Sequence, residues 1–192
     1  MSFLMWNARP LWPLVGLILS ITILAVTASD ADGDTVALAA AASFVALCLH
    51  QVEEYTLPGG FTNFYNTHIQ GRCPMTRVPL GRWGTSIVNI GLGWTLYGWC
   101  ATGLAPTVMI AGLALFLLLN AGAHLGMAVT LRQSNPGVVT GALVMIPCGV
   151  WVLTSHAPAM SLWEWAGAIV FLPVAVVAIQ MSIRLGRQFD TN

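Results

Sequence analysis

The chain has 192 residues, of which 57% are hydrophobic and 7% are charged, and its formal net charge is zero. A soluble domain carries about 25% charged residues, so this composition places most of the chain in lipid. The chain contains no lysine, and without net positive charge we do not expect nucleic acid as a partner. We expect membrane lipid and a lipophilic small molecule instead.

Six apolar runs predict a single all-α membrane domain over residues 1–192. Their predicted bounds are about 11–28, 35–57, 84–104, 107–131, 138–154 and 161–183. Most are close to the ~20 residues that a helix needs to cross a bilayer. A cleaved signal peptide is the alternative for the first run, because Val26-Thr27-Ala28 fits a small-x-small cleavage site. We interpret this run as a true span.

The arginines all fall on one side of the six predicted spans. They are Arg9, Arg72, Arg77, Arg82, Arg132, Arg184 and Arg187. The opposite connections hold no arginine, and their charged residues are Asp30, Asp32, Asp34 and Glu164. By the positive-inside rule, this pattern predicts a six-helix bundle with both termini in the cytoplasm.

The second run ends in a cluster of ionisable side chains: His50, Glu53 and Glu54. On a helix these three residues fall within an arc of about 100°. Ionisable groups inside lipid are costly and are functional by default. We therefore predict His50, Glu53 and Glu54 as catalytic residues.

Two residues of the fourth run fall at a similar depth. At 1.5 Å per residue, Asn120 and His124 lie about 20 and 25 Å below the start of their run, and His50 lies about 22 Å below the start of its own. Asn120 is therefore a further catalytic candidate. Asn89 on the third run reaches the same level, and His68, in the connection just below, could cap the group.

An ordered set of motifs carries a resemblance to a known family. His50-x-x-Glu53-Glu54 is followed by Pro58-Gly59-Gly60-Phe61, by Asn120-x-x-x-His124 and by Asn135-Pro136-Gly137. This set resembles the HXXEE domain family of bacterial membrane proteins, from the second run onward. The family is named for its motif and not for an activity. The resemblance implies a bacterial cytoplasmic membrane and supports the choice of residues.

A metal site is the first functional interpretation of the cluster. Imidazole and carboxylate ligands together suit zinc, iron or manganese. His50, Glu54 and His124 would form a two-histidine, one-carboxylate set, while Glu53 and His68 would support it or bind a second metal. We then expect a metal-dependent enzyme that acts on a lipophilic substrate.

Other interpretations of the same cluster stay open. A buried glutamate with a nearby histidine could protonate an isoprenoid alkene, as an isomerase or cyclase does without metal. Aromatic faces would stabilise the resulting cation, and the candidates are Trp83, Trp94, Tyr97, Trp99 and Trp151. Intramembrane carboxylates also mark proton-coupled transporters, and two histidines could ligate haem. Polar groups that only hydrogen-bond the helices together are the purely structural alternative.

The arginine pattern yields a direct test of orientation. Reporter fusions at Asn192 and after Gly71 should both give a cytoplasmic signal, because positively charged connections stay inside. A periplasmic signal from either fusion would contradict the predicted orientation or indicate that the first run is cleaved.

Overall fold

A computed structural model describes residues 10–30, 34–73 and 76–190. This part of the chain contains helices and no strand, so the predicted all-α class is confirmed. Arg9 and Asp32, two of the charges used to predict the orientation, lie outside the described residues.

The helices follow one another with short connections. They are α1 (Trp12–Asp30), α2 (Thr35–Tyr55), α3 (Phe61–His68), α4 (Arg82–Ser86), α5 (Thr95–Ala101), α6 (Thr107–Leu131), α7 (Val138–Thr140), α8 (Ile146–His156) and α9 (Leu162–Asp190). π-helical turns join α4 to α5 (Ile87–Trp94) and α7 to α8 (Gly141–Met145). Residues 82–101 and 138–156 therefore each form one continuous helix.

Five helices in the described part of the chain are long and apolar enough to cross a membrane, not the predicted six. They are α1, α2, α6, the helix over 138–156 and α9. The helix over 82–101, which corresponds to the predicted third span, is not among them. The physical reason lies in its composition, because Asn89 and several glycines, threonines and tryptophans lower its hydropathy.

α2 is the central helix of the bundle. In its most apolar window 61% of the residues are buried, against 17–44% in the other four candidate spans. Its alanines at 39–41 are fully buried, because small side chains let neighbouring helices approach. Asp34 caps the start of the helix by accepting hydrogen bonds from the backbone N–H groups of Val36 (2.9 Å) and Ala37 (3.2 Å).

The helix over 82–101 lies beside α2 and runs in the opposite direction. Near the end of α2, Gln51 Nε2 donates a hydrogen bond to Asn89 Oδ1 at 3.1 Å. About two turns nearer the start of α2, the ring of Phe44 lies against Gly98. This helix therefore covers much of the depth of α2, although it is less apolar.

Gly84 and Gly186 form a close approach between α4 and α9. A Cβ atom added at Gly186 would overlap the backbone of Gly84, so Gly186→Ala must push the two helices apart. We expect this substitution to lower the free energy of unfolding by about 1–3 kcal/mol.

Gly122→Ala on α6 is the matched control, because nothing lies within 4 Å of a Cβ atom at that position. It should leave the unfolding temperature of the purified protein unchanged or raise it slightly. Equal unfolding temperatures for the Gly186 and Gly122 variants would contradict the close approach of α4 and α9.

Candidate metal centre

Three predicted ligands meet near the C-terminal ends of two helices. His50 and Glu54 lie one turn apart on α2, and His124 lies on α6. Glu54 Oε1 is 3.6 Å from Nε2 of His50 and 3.3 Å from Nε2 of His124. All three residues are buried. One ligand atom from each lies within 4.8 Å of the others, so the cluster could hold a metal ion.

Asn135 decides which nitrogen of His124 carries the proton. Its Nδ2 donates to the backbone carbonyl of His124 at 2.9 Å, which directs Oδ1 to within 2.6 Å of the ring Nδ1. An amide oxygen can only accept a hydrogen bond, so Nδ1 of His124 is the donor. In the neutral ring, Nε2 then presents a lone pair to Glu54.

Thr140 and Glu53 orient His50 in the same way. The Glu53 carboxylate accepts hydrogen bonds from the backbone N–H groups of Val139 (3.1 Å) and Thr140 (2.7 Å) and from the Thr140 hydroxyl. Because that hydroxyl donates to Glu53, its oxygen accepts from Nδ1 of His50 at 3.0 Å. Nε2 of His50 therefore also presents a lone pair to Glu54.

Two imidazole lone pairs and one carboxylate oxygen thus face a common point. Histidine ligands of metals have this arrangement, with the remote nitrogen donating to a partner that sets the tautomer. The donor set of two nitrogens and one oxygen fits zinc, iron or manganese, and it leaves coordination positions open.

Gly137 brings the backbone against both imidazole rings. It has a φ of 103°, and a Cβ atom there would lie 2.5 Å from Cε1 of His124 and 2.7 Å from Cε1 of His50. Only glycine fits this position, for reasons of both conformation and space. The sequence indicates a turn at Asn135-Pro136-Gly137, but not that the turn packs on the two rings.

The other predicted site residues take different places. Asn120 joins the cluster, with its Nδ2 at 3.3 Å from Nε2 of His50. Glu53 lies beside the cluster, where its carboxylate accepts hydrogen bonds from Val139 and Thr140. His68, predicted to cap the group or to bind a second metal, makes other contacts. Its ring stacks on Phe64 and its Nδ1 lies 3.2 Å from the backbone carbonyl of the same residue, so it is not part of the three-ligand cluster.

Asn89 belongs to a neighbouring polar network that the sequence analysis missed. Buried Gln51 donates to Asn89 and accepts from the Trp94 indole at 2.8 Å. Asn89 donates in turn to the hydroxyl of Tyr55 at 3.3 Å. Gln51 lies between two motif residues, and its position next to His50 is the signal that could have revealed it.

A cavity of about 350 Å³ lies beside His50 and Glu54, between α2, the helix over 82–101, α6 and α9. Its polar lining includes Asn120 and Tyr65. Burial raises the pKa of Tyr65, so its hydroxyl stays protonated at neutral pH. Most of the remaining lining is apolar and includes Leu47, Leu92, Leu96, Leu113, Phe116 and Phe171.

Most aromatic residues predicted to stabilise a cation lie elsewhere. Tyr97 lines the cavity, whereas Trp83, Trp99 and Trp151 are exposed on the outside of the bundle. Trp94 reaches the neighbouring network through its indole N–H. Other aromatic residues line the cavity instead: Tyr55, Phe61, Tyr65, Phe116 and Phe171.

The apolar helices and the buried histidine–glutamate cluster define a membrane protein with a candidate metal centre near the C-terminal ends of α2 and α6. Residues 41–152 match the family model described as "Protein of unknown function with HXXEE motif". Since this range covers more than half of the chain, the chain belongs to the HXXEE family, and the resemblance is confirmed. No curated protein and no solved structure matches the chain.

Gly137→Ala tests the packing of the turn on the two rings. Gly60→Ala is a matched control, because Gly60 also has positive φ (94°) but nothing lies within 4 Å of a Cβ atom there. Both variants should lose about 1–2 kcal/mol of unfolding free energy from the left-handed backbone. Only Gly137→Ala should lose a further 1–3 kcal/mol or so from the clash with the rings. Similar unfolding temperatures for the two variants would contradict this packing.

Proposed function

We propose that this protein is an integral-membrane enzyme that uses a divalent metal ion, bound by His50, Glu54 and His124, to transform a lipophilic small molecule. The observation that carries the proposal is the tautomer state of the two histidines. Asn135 and Thr140 each accept a hydrogen bond from an Nδ1–H group, which leaves both Nε2 atoms as acceptors near the Glu54 carboxylate. The Asn120 amide donates to one of them, Nε2 of His50, at 3.3 Å. A cation among the three acceptors would reduce their mutual repulsion more fully.

The separations within the cluster are compatible with this role. Two ligands bonded to one ion at about 2.1 Å each lie at most about 4.2 Å apart. Both nitrogen-to-carboxylate distances, 3.3 and 3.6 Å, fall inside that limit. When bound, such an ion would supply Lewis-acid or redox chemistry beside the cavity.

Residues of the chain would orient the metal ligands and bind the substrate. Glu53 and Thr140 hold His50 in its ligating tautomer, and Asn135 does so for His124. Asn120 now donates towards Nε2 of His50. If that lone pair binds a metal, the amide of Asn120 becomes available to donate to a substrate oxygen in the cavity.

Metal-free acid–base catalysis is the second candidate, and one distance favours it. Nε2 of His124 lies 3.3 Å from Glu54 Oε1, which is close enough for a shared proton in place of a metal ion. The pair could then protonate an alkene or shift a proton along a lipid. We place this candidate second because a shared proton involves Glu54 and one histidine, whereas Thr140 and Asn135 orient both histidines.

We also propose that the protein lies in a bacterial cytoplasmic membrane with both termini inside. This orientation needs an even number of crossings, so the helix over 82–101 would be the sixth. Its antiparallel packing along α2 supports that role, because contact with other helices shelters part of its less apolar surface.

The metal proposal predicts a composition that elemental analysis can measure. Purified wild-type protein should carry about one ion per chain, and His50→Ala, His124→Ala and Glu54→Gln should each remove it. The double histidine variant should be no worse than either single variant, because the ligands act as a unit. Chelation should lower the unfolding temperature of the wild type only, since a ligand of the folded state stabilises it.

Two further variants serve as controls for the measurement of metal content. Glu53→Gln should retain the ion with affinity lowered by about 10–100-fold, as is typical when a partner of a metal ligand is changed. His68→Ala is the histidine control and should retain the ion fully. A wild-type protein that is metal-free and indifferent to chelators would overturn the proposal and favour the acid–base candidate.

A further inference from the structure

The cavity has its polar groups concentrated around the cluster. His50, Glu54 and Asn120 lie at one level, and Leu113 on α6 lies two turns farther from the cytoplasmic end, with Phe171 nearby on α9. Two helical turns measure about 10 Å. The apolar part of the cavity therefore reaches about 10 Å beyond the cluster, less than the ~15 Å of half a hydrocarbon core.

The size of the cavity limits the number of hydrocarbon chains that a bound lipid can have. Its volume of about 350 Å³ is at the lower end of the 300–1,000 Å³ or so that is typical for small-molecule sites. A phospholipid with two acyl chains is too large for such a volume. A single apolar chain fits that volume.

The charge of the lining limits the head group. None of the arginines among the described residues lines the cavity, and Glu54 supplies a negative charge. A divalent ion bound to Glu54 leaves one net positive charge at most, whereas a phosphate monoester carries about −1.5 to −2 at pH 7. The neighbouring Glu53 carboxylate offsets that positive charge, so a lipid carboxylate would leave the site with a net negative charge. The lining also holds the amides of Asn120 and Gln180 and the hydroxyl of Tyr65, which are donors that suit an uncharged oxygen.

From these constraints we infer that the cavity binds a single-chain lipid with one uncharged oxygen function, such as a long-chain alcohol, whose oxygen lies at Glu54, His50 and Asn120. The inference rests on the proposed function, because that proposal identifies which end of the lipid reacts. The chain extends between α6 and α9 towards Leu113 and Phe171. Burial of its methylene groups supplies most of the affinity.

Radiolabelled 1-dodecanol is the probe, tested on purified protein in nanodiscs. We expect saturable, stoichiometric retention, with dodecanoic acid and dodecyl phosphate competing at least about tenfold more weakly because neither anion is compensated. Tighter binding of either anion, or no saturable retention of 1-dodecanol, would overturn the inference.

Neighbouring residues of α9 offer a matched pair of variants. Ala178 lines the cavity, whereas Val177 is 56% exposed on the outside of the bundle. Ala178→Phe should weaken dodecanol binding by about tenfold or more by filling the cavity, and Val177→Phe should bind as the wild type does. If Ala178→Phe does not fold, Ala175→Phe fills the same wall. Equal dodecanol binding by the wild type and a folded cavity-filling variant would overturn the inference.

The metal content of the same samples separates the two proposals. Protein that retains metal but binds no dodecanol overturns the inference about the ligand and leaves the metal centre in place. Protein that binds dodecanol in the cavity but contains no metal overturns the metal centre and leaves the inference about the ligand in place.

Discussion

The Glu53 carboxylate joins the central helix to the start of the helix over 138–156, and the site depends on this contact. Its two oxygens accept hydrogen bonds from Val139, Thr140 and the Thr140 hydroxyl. A helix start has unsatisfied N–H groups and a positive dipole end, both of which favour a carboxylate. In surroundings with little water, these groups have few other partners. The contact therefore sets the distance between α2 and Thr140, and through Thr140 it sets the ring of His50.

This dependence gives separate roles to the two adjacent glutamates. Glu54 faces the two Nε2 atoms and borders the cavity, whereas Glu53 faces α7. Neighbouring residues on a helix are about 100° apart, so one carboxylate can serve the ligand cluster while the next one serves the helix contact. The adjacent positions in the motif thus allow Glu54 to act as a ligand and Glu53 to hold the neighbouring helix in place.

The turn after α6 completes the enclosure of the site. Asn135 satisfies both the backbone and the ring of His124, and Gly137 lets the chain pass against the two imidazoles. The following residues reach Glu53. One short segment therefore contacts both histidines and one of the glutamates.

The sequence alone determined the all-α class, the apolar helices and the placement of His50, Glu53 and Glu54 on one helix face. These features follow from composition and from the 3.6-residue period, which are local properties. Equal depth of two spans also brought Asn120 and His124 to the same level as His50. The same reasoning placed His68 nearby, and its ring stacks on Phe64 and lies outside the three-residue cluster.

Tertiary structure decided the rest. Thr140 lies 90 residues after His50, and no local pattern marks it as the partner of that ring. Asn135 and Gly137 stood in the resemblance as motif residues, but their roles depend on how α6 and the helix over 138–156 approach α2. The cavity is likewise a space between four helices, and its shape depends on side chains from all of them. A hydrogen-bond network satisfies buried polar atoms through whichever groups packing brings near, and packing is a property of the whole chain.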